Sequence, residues 1–186
     1  MKIIVATSNK HKLREIRQIL KGFQVAGLEM AVRENGKTFE ENAIKKAKAA
    51  FKKTSLLSIA DDSGLMVDAL DGRPGIKSAR YAIPPTPENL CGKLLKAMRK
   101  YVTRNAKFVC AIAIAFPNGK IVVAKGIIHG RIAHEMRGNR GFGYDPVFIP
   151  KGFKKTFAEM PSTLKNKLSH RHKALVKVRR ILESLS

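Results

Sequence analysis

The chain has 186 residues, 37 Lys and Arg against 14 Asp and Glu, a formal charge of +23, and 44% hydrophobic residues. That length predicts a single domain over 1–186, and that much apolar side chain excludes an intrinsically disordered protein. The opening Met-Lys-Ile-Ile-Val-Ala run is far shorter than a signal h-region, and charges interrupt every later apolar stretch, so a soluble cytoplasmic protein with no membrane partner is expected.

In chain order, residues 2–6 read as a buried strand that stops at the polar turn Thr7-Ser8-Asn9. A helix follows with Leu13, Ile16 and Leu20 on one face and Gly22 just past its end. Residues 23–28 predict a second strand. Thr38-Phe39-Glu40-Glu41 is a capping-box pattern, and it opens a Lys- and Ala-rich helix that runs to about Phe51. Residues 56–60 predict a short apolar strand that ends at Asp61-Asp62-Ser63-Gly64. Thr86-Pro87 supplies an N-cap with proline at the first helical position, and Leu90, Leu94, Leu95 and Met98 continue that helix. Residues 108–116 and 121–128 are β-rich and joined through Pro117-Asn118-Gly119, a hairpin signal. Residues 147–149 predict a further strand, and Thr156-Phe157-Ala158-Glu159 a second capping box. Leu175, Val178, Leu182 and Leu185 place one stripe on a C-terminal helix. Early strand–helix alternation followed by a hairpin-rich stretch predicts an α/β fold with a mixed sheet. Cys91 and Cys110 form no Cys-x-x-Cys pair, which excludes a disulfide framework or zinc cluster and predicts buried free thiols.

A strongly basic chain suits either nucleic acid or small phosphorylated anions. The lysines are spread along the chain, aromatic residues are 6%, and there is no Trp to build a stacking platform. No specific nucleic-acid partner is therefore expected. A basic nucleic-acid-binding module remains the alternative from another class, but it leaves the acidic residues unexplained. Seven of the fourteen acids, Glu34, Glu40, Glu41, Asp61, Asp62, Asp68 and Asp71, fall between residues 34 and 71. Such an island in a cationic protein suggests a metal site.

Four segments carry chemistry. Thr7-Ser8-Asn9-Lys10-His11-Lys12 lies where a helix starts, and reads either as an anion site made by backbone N–H groups and lysines or as an ordinary N-cap followed by solvated lysines. It lacks the glycines and the Gly-Lys-Ser/Thr ending of a Walker loop. Asp61 and Asp62, reached from a buried strand, need a partner, and a hard divalent cation is a natural one. One carboxylate could instead orient or deprotonate a water. Neighbouring strand residues point to opposite sides, so one Asp is expected to be structural. Gly141-Phe142-Gly143-Tyr144-Asp145-Pro146 combines close backbone approach, flat aromatic faces for a base, and a carboxylate for ring N–H groups. Lys165, His170 and Arg171, at the mouth of a helix, suit a phosphate or a base carbonyl. His170 and His172 could also chelate a metal, but no partner ligands have recognisable spacing.

Together these segments resemble the Ham1-like inosine triphosphate pyrophosphatase family. The resemblance rests on Thr7 to Lys12, Thr38 to Ala43, Ala60 to Leu65, Gly75 to Tyr81, Gly141 to Pro146, Lys155 to Glu159 and Ser169 to Arg171, in the family's order over nearly the whole chain. It implies an elongated two-lobed α/β protein, with a central mixed sheet flanked by helices and a cleft between the lobes, usually a homodimer. It also implies Mg²⁺-dependent cleavage of ITP, dITP and XTP between the α and β phosphates, giving the monophosphate and pyrophosphate and cleansing the nucleotide pool. Carried over by position, Thr7, Ser8, Asn9, Lys10, His11 and Lys12 would cradle the triphosphate. Asp62 would be general base and Mg²⁺ ligand, Glu34 a second acidic ligand, and Ser63 a nucleotide contact. Lys46 would reach the phosphates. Phe142, Gly143, Tyr144 and Asp145 would wall the base, and Lys165, His170 and Arg171 would close around the purine and its 6-oxo group. Two features depart from the family pattern: Ala82-Ile83-Pro84-Pro85 stands where an acidic loop is common, and the charge is unusually high. A paralogue with another base preference is the remaining alternative, since a few pocket changes would suffice.

Overall fold

Six strands, β1 (Lys2–Ala6), β2 (Gln24–Leu28), β3 (Ser58–Val67), β4 (Asn105–Ala115), β5 (Ile121–Ile132) and β6 (Phe148–Pro150), form one sheet in the order β2-β1-β3-β4-β5-β6. This is seen in the computed structural model, which describes residues 1–184. β1 pairs in parallel with β2, from Lys2 opposite Gln24 to Ala6 opposite Leu28, and in parallel with β3. β5 and β6 are antiparallel, with Arg131 opposite Ile149, so the sheet is mixed as expected. The parallel pairs need crossover connections, and helices α1 (Lys10–Ile19) and α2 (Phe39–Thr54) supply them. Helices α3 (Pro87–Ala97), α4 (Ser162–Leu168) and α5 (His170–Glu183) complete the α/β architecture. Among the described residues no helix is long and apolar enough to cross a membrane.

The chain forms two compact units. The first comprises Met1–Asp62, Cys110–Gly126 and the chain from Arg171; the second comprises Ser63–Val109 and Ile127–His170. β3, β4 and β5 each contribute residues to both units. The first unit buries Ile3, Val5, Ile59, Ile112 and Ile114 of the sheet against Ile16 and Leu20 and against Leu175, Val178 and Leu182. Those last three are the predicted C-terminal stripe; Leu185 lies outside the described residues. The second unit buries Leu65, Leu94, Met98, Phe108, Phe148 and Phe157, with the Phe108 and Phe148 rings edge to face at 4.7 Å. Both cysteines are free and buried, and burial pushes each thiol up to about 12.

Local signals are largely read correctly. Thr86 caps α3 by accepting from the Asn89 N–H, with Pro87 at the first helical position. The turn at Pro117-Asn118-Gly119 closes through the Phe116 N–H to the Lys120 carbonyl at 3.0 Å, with Gly119 at φ +82°. Two expectations are corrected, and a third is met in a shorter element. The capping box at Thr38 is half formed: Thr38 Oγ1 accepts from the Glu41 N–H, but the Glu41 carboxylate takes the N–H of Lys37 instead of that of Thr38. The second box, at Thr156, is complete but opens only a 3-10 turn over Phe157–Glu159. The strand expected to stop at Asp61 continues to Val67, because cations beside the strand compensate both carboxylates and Leu65 and Val67 return to the core.

The acidic island also disperses. Glu40 pairs with Lys125, Glu41 serves the start of α2, Asp68 opens a 3-10 turn and Asp71 follows it in the left-handed region at φ 54°. Glu34, Asp61 and Asp62 are the members that meet the half-buried lysines Lys12 and Lys46.

Candidate active site

β3 carries two neighbouring carboxylates into different surroundings, as the alternation of side chains along a strand requires. Asp61, 2% exposed, meets Lys12 Nζ at 2.9 Å and Arg171 Nε at 3.3 Å. Arg171 also places Nη1 2.5 Å from Glu15 Oε2, so acid and base alternate from Glu15 through Arg171 and Asp61 to Lys12. Burial alone would raise the Asp61 pKa, but the charges of Lys12, Arg171 and Lys46 outweigh it and hold the carboxyl well below its ordinary range. Asp61 is thus engaged by the protein's own cations.

Asp62 has another set of partners. Its Oδ2 accepts from Asn42 Nδ2 at 3.1 Å, and its Oδ1 lies 3.5 Å from Lys46 Nζ. Lys46, on α2, reaches Glu34 Oε1 at 2.7 Å. Burial is the largest influence on Asp62, and with the nearby Glu34 charge it raises the pKa against the opposing pull of Lys46 and Asn42. Burial would depress the Lys46 ammonium, but Asp61, Asp62 and Glu34 together hold it above its ordinary value. The cluster thus joins four carboxylates (Glu15, Glu34, Asp61, Asp62) to three cations (Lys12, Lys46, Arg171). Asp62 and Glu34 share Lys46 and present hard oxygens, the donor type that suits a small divalent cation. Among the described residues no three His, Cys, Asp or Glu side chains are grouped to hold an ion. A cation held by two carboxylates would complete its shell with water or phosphate oxygens, the usual arrangement for Mg²⁺.

At the start of α1 the expected anion cradle is partly occupied by the protein itself. Asn9 Oδ1 accepts from the N–H groups of His11 and Lys12 at 2.9 and 3.1 Å, and Thr7 Oγ1 accepts from the Asn9 N–H. Two helix-start amides are therefore capped, and Lys12 is drawn to Asp61. Ser8, Lys10 and His11 stand at the same turn, with Lys10 and His11 exposed.

The second unit holds a different constellation. Asp145 Oδ2 accepts from the Phe142 N–H at 2.7 Å and from Lys165 Nζ at 2.5 Å, and both charged residues are buried. The Lys165 ammonium also stands 4.5 Å from the centre of the Phe142 ring. Gly141, at φ +82°, cannot carry a side chain, since a Cβ there would run into the Asp145 carboxylate. Ser63, which follows Asp62 on β3, and Gly143 are half-buried, and Cys91 Sγ contacts the Gly143 carbonyl at 3.4 Å. The His170 ring lies over Phe108 at 4.8 Å and 10°.

Three of the sequence-predicted site residues have partners within the protein. Asp145, expected to accept from ring N–H groups, uses Oδ2 for the protein's own Phe142 amide and Lys165. Tyr144 is 4% exposed in the core, and its hydroxyl donates to the Ser78 carbonyl at 2.9 Å, so its face is no open wall. Arg171 belongs with Asp61 and Glu15 in the first unit, whereas Lys165 and His170 belong to the second. One residue along α5 changes the partner set because successive helical positions are about 100° apart.

The Ham1 family model matches residues 3–181. The chain belongs to the Ham1 family. A Ham1 relative from Desulforamulus reducens named dITP/XTP pyrophosphatase is 46% identical over 100% of this chain and 97% of its own length. Another of that name from Synechocystis is 48% identical over 95% and 92%. The solved Ham1 protein of Staphylococcus aureus has a TM-score of 0.93 at 39% identity, covering 100% of both chains.

Two residues of this Ham1 chain escape a reading of the sequence alone. Glu15 looks like an ordinary solvated position on α1, and only the fold brings it to Arg171. Asn42 is 1% exposed inside a helix, where asparagine is a poor helix former. That mismatch is the signal that could have flagged it.

Proposed function

We propose that this chain hydrolyses dITP, XTP and ITP between the α and β phosphates, releasing the nucleoside monophosphate and pyrophosphate. The observation that carries the reading is the Asp62–Glu34 corner sharing Lys46, in a chain nearly half identical to proteins named dITP/XTP pyrophosphatase. Asp62 accepts a proton from the attacking water, a task suited to a carboxylate whose proton affinity is raised. Lys46, held above its ordinary pKa, stays charged and offers an ammonium to the phosphates. Lys12 and Lys10 add positive charge at the start of α1. Glu34 and Asp62 would hold Mg²⁺, which when bound supplies charge neutralisation for the pyrophosphate leaving group.

Base reading falls to the second unit. Asp145 pins Lys165, whose remaining N–H groups are donors suited to a 6-oxo oxygen; Phe142 supplies a flat face. Adenine would present an amino group there, setting donor against donor. An unmatched buried polar group costs about 1–3 kcal/mol, enough for strong discrimination. The homodimer belongs to the same proposal and is tested by light scattering.

The test is pyrophosphate release with Mg²⁺ across ITP, XTP, dITP, ATP, GTP and CTP. Preference for the first three with pyrophosphate as product supports the reading. Equal rates on all six remove the base-reading role of Lys165 and Phe142, and release of orthophosphate removes the assigned cleavage position.

A further inference from the structure

Residues 29–36, which carry Glu34, have no regular secondary structure, so their position depends on what α2 offers them. Four α2 side chains reach this segment and the residue after it. Lys46 meets Glu34, Lys45 Nζ meets Asn35 Oδ1 at 2.7 Å, Glu41 accepts from the Lys37 N–H at 2.7 Å, and Asn42 Oδ1 accepts from the Gly36 N–H at 2.8 Å. Of these four, Asn42 is the one fully buried, and its Nδ2 also donates to Asp62 Oδ2 at 3.1 Å. Its amide can point only one way. A backbone N–H can only donate, so Oδ1 must face Gly36, and Nδ2 is thereby turned toward the Asp62 carboxylate. The fit at the other end is equally closed: a Cβ on Gly36 would come within 2.7 Å of Asn42 Oδ1 and 2.9 Å of Glu41 Cβ.

We infer that Asn42 is a positioning residue that sets the Glu34 segment in register with Asp62, so that the two carboxylates form one divalent-cation site before any nucleotide arrives. The inference rests on the proposed role of Asp62 and Glu34 as cation ligands. Asn42 touches neither water nor substrate in this scheme; it acts through the backbone at Gly36 and the carboxylate at Asp62. Lys46 cannot replace it, because a flexible ammonium neutralises both acids without fixing the backbone between them.

The experiment is Mn²⁺ titration of the nucleotide-free protein by calorimetry, alongside steady-state dITP hydrolysis, for wild type, Asn42→Leu and Gly36→Ala. Leucine keeps the branching and heavy-atom count of the asparagine side chain and removes both hydrogen bonds. Outer-shell partners of this kind alter metal affinity or activity by about 10–100-fold, so the folded Asn42→Leu protein should lose Mn²⁺ affinity by that factor. Its kcat should fall by a similar factor with KM for dITP little changed. Gly36→Ala, which disturbs the same contact from the opposite side, should show the same pattern in weaker form. Wild-type Mn²⁺ affinity and kcat in a folded Asn42→Leu protein overturn the inference, as does a wild type that binds no Mn²⁺ without nucleotide. Should Asn42→Leu not fold, Gly36→Ala decides by the same two readings. A wild type that binds Mn²⁺ in an Asn42-dependent way but leaves dITP intact would overturn the proposed function and leave this inference standing.

Discussion

The two units hold their charges in contrasting ways. In the first, Asp61 and Asp62 belong to a group of seven charged side chains, and these two adjacent aspartates are driven in opposite directions: Asp61 toward easier ionisation, Asp62 toward easier protonation. In the second, a buried pair, Asp145 and Lys165, stands beside aromatic rings and a glycine-rich turn. Under the proposed function the contrast separates two kinds of chemistry. A reacting centre needs a group whose proton affinity is tuned and a place for a cation, which takes several charges. A recognition centre needs donors held in fixed directions, which one pinned ammonium and a rigid turn can provide.

The largest expected effect breaks the comparison at Asp62. Asp62→Asn should lower kcat by about 10²–10⁴-fold while dITP still binds by calorimetry, the loss typical of removing a positioned general base. Undiminished turnover would remove Asp62 from the mechanism. A stability measurement should single out its neighbour. Asp61→Ala leaves Arg171 and Lys12 without their buried counter-charge, and urea unfolding should show a loss of about 3–5 kcal/mol.

The same residue predicts a pH effect. Asp61 has a folded-state pKa below its unfolded value, so its contribution to stability is fully present above about pH 4 and is lost as pH falls below that. Thermal unfolding followed from pH 7 to pH 3 should show an acid-side fall that is smaller in Asp61→Asn. An unchanged slope would mean that other carboxylates govern the acid limb.

In the second unit, Lys165→Met should act on selectivity. The ratio of kcat/KM for dITP over dATP should drop by about 10–100-fold, corresponding to about 1–3 kcal/mol of lost donor matching. A lower rate on every nucleotide with the ratio intact would move Lys165 from reading the base to supporting the fold. The smallest effect belongs to Lys125, whose pair with Glu40 is largely exposed; Lys125→Ala should change unfolding free energy by less than about 1 kcal/mol and leave selectivity alone.

How legible all this is in the sequence depends on the range of the interaction. Strand β1, helix α1, the Thr86-Pro87 cap and the hairpin at Gly119 follow from periodicity and turn chemistry within a few residues. The Asp61-Asp62 pair and its division into one structural and one candidate reactive carboxylate are also local, because strand alternation separates neighbours. The end of β3 is not. A strand carrying two charges looks finished at Asp61 until cations from α1, α2 and α5 are placed beside it. Tyr144 likewise looks like a surface ring in a glycine-rich turn, and only its hydrogen bond to the distant Ser78 carbonyl accounts for its burial.

By itself, then, the sequence determined the alternation of strands and helices, the caps, the hairpin, the chemistry-bearing segments and the family they resemble, because each rests on neighbours along the chain. The tertiary structure alone decided partners: Glu15 for Arg171, Asn42 for Asp62, and Lys165 for Asp145. Charge compensation and hydrogen bonding depend on distances of about 3 Å between groups that can be more than a hundred residues apart, and spacing along a chain carries no record of such distances.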